Sequence, residues 1–94
     1  DGQLHIYQAR SPSEAYLLAV TAVLDGLCRH GAASVQVAGA EPVVEGYLLG
    51  GWTPRSIRMV LAIRALVSAA AGMSVVFCFP RPGRRVHLPS PVDD

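Results

Sequence analysis

The chain has 94 residues, of which 51% are hydrophobic and 16% charged, with a formal net charge of +1. A chain this short builds one domain with a single modest core, burying roughly 60–65% of its unfolded surface, and so apolar a composition excludes disorder over most of its length. Near neutrality removes bulk charge as an argument for a polyanionic partner, so any such partner must be met by a local cluster of cations.

Every cation is an arginine and lysine is absent. Arginine grips planar anions through two bonds at once, although a GC-rich genome also favours it. Cys28 and Cys78 stand far apart with no C-x-x-C, the pattern of two buried thiols in a reducing, cytoplasmic setting. The start "DGQLHIYQ" has neither the basic opening nor the apolar core of a signal peptide. The chain opens on Asp1 rather than methionine, as a trimmed chain would.

In chain order, "LHIYQAR" (Leu4–Arg10) alternates as a first strand. In "SPSE", Ser11 can cap a helix, Pro12 suits its first position, and Glu14 can reach back to close a capping box. The first helix then runs to about His30. Tyr16, Val20, Val23, Leu24 and Leu27 share its apolar face, and Glu14, Thr21 and Asp25 its solvated one. Arg29 and His30 suit the negative end of the helix dipole, and Gly31 the stop.

"ASVQVAGA" (Ala33–Ala40) reads as a second strand with Val35 and Val37 inward and Gln36 outward. "EPVVEGYLLGGWTP" reads as irregular. Thr53-Pro54 repeats the cap-plus-proline signal, so a second helix is expected from there to about Ala71, with Gly72 as its stop. "MSVVFCF" is a third strand, "PRPG" a turn, "RRVHL" a short fourth strand and "PSPVDD" a loose tail. From Met59 to Phe79 the only charge is Arg64, enough for a bilayer span of about 20 residues. The change at Gly72 from Ala/Leu-rich to β-branched and aromatic residues instead marks a helix ending and a strand beginning. The expected fold is a two-layer α/β sandwich of order βαβαββ, with a four-stranded mixed sheet and both helices on one face.

"SPSEAYLLAVTAVL", "RHGAASVQVAGA" and "IRMVLAIRALV" followed by "VVFCFP" resemble the stage V sporulation protein S family, of the Alba-like group of small βαβαββ domains. The likeness covers roughly residues 4 to 40 and 54 to 80. It implies one Alba-like domain over residues 4–88 with an insertion at 41–53 and a tail at 89–94. It also implies a DNA- or RNA-binding scaffold, usually dimeric, acting in bacterial development or regulation. Alba-like proteins touch nucleic acid with the loop after strand one, with helix two, and with the hairpin of strands three and four. By position these hold Arg10, then Arg55 and Arg58, then Arg81, Arg84 and Arg85. Where the group's loop has a pair of basic residues, this chain offers Arg10 alone. The last hairpin is also shorter than the family's.

The residues leave two functions open. Arginines on a proline-stiffened finger, "FCFPRPGRRVHL", suit phosphate contacts. Tyr47, Leu48 and Trp52, among glycines, suit instead a protein partner at the 41–53 segment, or a lid over the core; stacking of Tyr47 and Trp52 on bases is the weakest option, with only Arg55 nearby in sequence. On the second helix Arg64 interrupts a stripe of Ile57, Val60 and Val67, as an arginine paired with Glu41 or Glu45 or an interface residue would. Ala62, Ala65 and Ala69 make a small-residue face that suits a homodimer. His5, His30 and His87 fall on different elements without a metal-binding spacing, and no nucleophile motif or phosphate loop is present. The expectation is a non-catalytic protein with no metal and no cofactor.

Overall fold

The computed structural model describes residues 9–39, 41–49, 51–79 and 84–88. Helix α1 (Pro12–Arg29) starts as its sequence dictates. Ser11, in extended conformation, accepts the Glu14 amide on its hydroxyl at 3.1 Å, and Pro12 opens the first turn. Arg29 lies in the last turn, and Gly31 follows at φ 86°, a conformation that suits glycine. Strand β1 (Ser34–Ala38) comes next, then α2 (Pro42–Leu49), α3 (Ile57–Ala70), β2 (Ser74–Phe79) and β3 (Arg84–Leu88).

The described sheet has three strands in the order β1-β2-β3. β1 and β2 are parallel, with Ser34 opposite Ser74 and Ala38 opposite Cys78. β2 and β3 are antiparallel, with Val75 opposite Leu88 and Phe79 opposite Arg84. One sheet face turns Val75, Phe77, Phe79 and Leu88 into a core completed by Leu17, Leu24, Val44 and Leu66. Val35 and Val37 pack against that core as their alternation predicts. The other face shows Ser34, Gln36, Ser74, Arg85 and His87 to solvent. The architecture is therefore two layers, with the helices covering one face of a mixed sheet.

Helices α1 and α3 run side by side in the same direction. Their first turns are joined by the Glu14–Arg58 ion pair at 2.7 Å. At their far ends Cys28 Sγ lies close to Gly72, 3.2 Å from where a Cβ would stand. Ala62 and Ala69 are buried on the flank of α3 that carries Arg58, whereas Ala65 is exposed, so only part of the alanine face is taken up within the molecule. That arrangement turns most of the supposed stripe outward: Ile57 is 70% exposed, Arg64 and Val67 are exposed with it, as is neighbouring Leu61, and Val60 is half-buried. Val23 of α1 likewise faces solvent rather than the core.

Two expectations about the elements change. The segment read as irregular contains α2, because Glu41 caps it: its Oε1 accepts the amides of Val43 and Val44, each at 3.0 Å, and the Ser13 hydroxyl at 2.8 Å. Helix α3 starts at Ile57, later than Thr53-Pro54 suggested, because Ser56 accepts the Met59 amide at 3.2 Å and acts as the cap. The stretch before it folds back, with the Trp52 amide donating to Gly46 O at 3.2 Å. The first strand falls on residues 4–10, of which only Ala9 and Arg10 are described, and neither is in a strand. Among the described residues there are three helices and three strands, where two helices and four strands were expected; residues 4–8 of the expected first strand, the PRPG turn and the tail lie outside the described residues.

Candidate functional site

The first turns of α1 and α3 meet around one carboxylate. Glu14 was expected on a solvated face, yet it is only 5% exposed. Its Oε1 accepts the Arg10 amide at 2.8 Å, which closes the capping interaction one residue earlier than Ser11, and its Oε2 meets Arg58. The Arg10 amide holds its carboxyl below the usual range, against the opposing effect of burial; the hydrogen bond and charge of Arg58 and the charge of Arg10 add to the lowering. Glu14 is therefore an anion that fastens the chain before α1 to the start of α3. Arg58 keeps 40% of its side chain in solvent. Arg10 and Arg55 are exposed, one immediately before α1 and the other just before α3. Because the two helices begin side by side, these three arginines share one end of the helix layer, where helix dipoles add positive potential.

Beside them lies a groove of about 520 Å³ between α2 and the loop leading to α3. Val43, Tyr47, Trp52 and Met59 wall it, with Arg55, Thr53 and Ser56 completing the lining. Trp52 is 58% exposed but well held. Its six-membered ring lies against Gly46, where any Cβ would collide with it, and Tyr47 meets it edge-on at 6.4 Å and 84°. Leu48 packs on the core, so the apolar trio expected here reduces to Tyr47 and Trp52. On α1, burial first and Glu41 second push the Tyr16 phenol upward, so it stays neutral.

Of the C-terminal arginines, Arg85 does not join this cluster. Arg85, opposite Cys78, lies on the outer face of the sheet, where it lines a shallow depression of about 230 Å³ with Ser34, Gln36 and Ser74. The helix layer and Arg85 are on opposite sides of the strands. Arg84 is placed by its backbone opposite Phe79, and Arg81 lies outside the described residues. Arg55, the one cation near these aromatics in sequence, lines the same groove as Trp52. The sequence reading did not single out Val43 or Met59 for this site. For Val43 the signal was the helical spacing of Val43, Val44, Tyr47 and Leu48 behind Glu41-Pro42.

No three His, Cys, Asp or Glu side chains are grouped to hold a metal among the described residues. Cys28 is exposed rather than buried, and Cys78 is half-buried, accepting a hydrogen bond from Gln36 Nε2 at 3.1 Å. The apolar run from Met59 to Phe79 divides into most of α3 and β2, and no described helix is long and apolar enough to cross a membrane. No family model, curated protein or solved structure matches the chain.

Proposed function

We propose that the chain is a non-catalytic nucleic-acid-binding module that meets phosphates through arginines at the shared start of α1 and α3. The observation that carries this reading is the gathering of Arg10, Arg55 and Arg58, from two distant segments, at one end of the helix layer. Phosphate contacts need cations on a rigid support, and the Glu14 hydrogen bond and ion pair supply that support. The resemblance to the stage V sporulation protein S family points the same way, since Arg10, Arg55 and Arg58 occupy two of the regions its Alba-like relatives use. Arg85 on the outer sheet face is a separate and weaker contact.

A salt titration with a fluorescein-labelled oligonucleotide tests it. Affinity falls as salt rises, by about 0.7 log units per log unit of salt for each single-strand phosphate neutralised, or about 0.9 for duplex. Arg10→Ala and Arg55→Ala each lower that slope by about one contact. Absence of binding to either form at low salt overturns the proposal. A protein-interaction module on the same scaffold is the second reading, favoured by the exposure of Trp52 and of Ile57 and Leu61 on α3. It expects self-association in sedimentation that Leu61→Arg abolishes.

A further inference from the structure

We infer that the Tyr47–Trp52 groove takes an unpaired nucleobase while Arg55 holds an adjoining phosphate, so that the module prefers single strands to duplex. This rests on the nucleic-acid reading above and names its substrate class. The groove is open and largely apolar; among the described residues no carboxylate lines it and Arg55 is its one charged wall. An occupant must therefore bring a flat apolar surface and a negative charge together. A nucleotide carries both in one unit and repeats them along a strand, so the next phosphates fall toward Arg58 and Arg10 at the same end of the layer.

Trp52 is built as a stacking platform. One part of its ring rests on Gly46, its amide is tied to Gly46 O, and the Tyr47 ring meets it nearly at right angles. More than half of the residue nonetheless faces solvent. An indole held in place before binding loses little freedom when a base lands on it. Bases within a duplex are stacked on one another and offer no free face, so the preference for single strands follows.

The experiment uses the full chain and three labelled probes of one sequence: a single strand, its duplex, and the single strand carrying abasic residues. Trp52 is the sole tryptophan, so its emission reports on the groove directly. The single strand quenches that emission, while the abasic strand does not and binds about tenfold more weakly, the loss of one stacked base. Trp52→Ala weakens single-strand binding about tenfold and leaves duplex affinity unchanged, and Trp52→Phe restores most of the loss. The abasic comparison is made on the wild-type chain, so it stands even where Trp52→Ala fails to fold. Equal affinity for all three probes overturns the inference while leaving the broader reading intact. Absence of binding to any probe overturns both. Self-association that quenches Trp52 without nucleic acid assigns the groove to protein and overturns the inference.

Discussion

Glu14 shows how much one side chain can organise. It holds the amide of Arg10 and the guanidinium of Arg58, and through them the approach of α1 to α3. Its carboxyl is held below the ordinary glutamate range, so the anion contributes stability above that range and loses it as pH falls through the folded value. Glu14→Gln keeps the shape but removes the charge. The variant should unfold at lower urea than the wild type at pH 7, with the gap closing as pH drops to 3. A gap that stays constant with pH would show that Glu14 acts through packing alone. The same residue marks a limit of sequence reading. Its place in the capping box was legible from Ser11 three residues away, but its burial was not, because that depends on Arg58, which only the folded chain brings near.

Among the elements, α2 was the one misjudged. Glutamate is not among the preferred helix caps, and the surrounding glycines read as loop. What stabilises the element is tertiary: Val44 is fully buried, Ser13 of α1 donates to the capping carboxylate, and Trp52 closes over Gly46. Two glycine substitutions separate these effects. In an open helix interior, alanine is better than glycine by about 1 kcal/mol. Gly26→Ala in α1, where nothing lies within 4 Å of the new Cβ, should gain up to that amount in thermal stability. Gly46→Ala should reverse the sign and shift the Trp52 emission maximum, because the added methyl occupies the position of the indole. Stabilisation by Gly46→Ala with unchanged emission would mean that Trp52 does not rest there.

For the whole molecule, one face of the sheet bears the stability. Phe77 is fully buried in the central strand, and its ring stacks on Phe79 at 6.4 Å. Phe77→Ala should cost about 3–5 kcal/mol. A domain holding only about 5–15 kcal/mol in total loses much of its margin by that change. Val76→Ala, one residue away but facing the outer side, should cost less than about 1 kcal/mol. Chemical denaturation of the two variants reads the difference, and equal losses would argue that both sheet faces are covered.

The sequence alone determined the capped start of α1, the alternation that turns Val35 and Val37 inward, the positions of β2 and β3, and the helix-to-strand change at Gly72. Each is governed by interactions within a few residues, which leave a period or a cap signal in the chain. Tertiary structure decided the rest. It turned Ile57 and Leu61 outward because Ala62 and Ala69, being small, let α3 approach α1 closely. It placed Arg85 on the far side of the strands from Arg10 and Arg58. It also brought Arg55 into one groove with Tyr47 and Trp52. Those outcomes depend on which surfaces fit together once the chain is compact, and no local pattern encodes that.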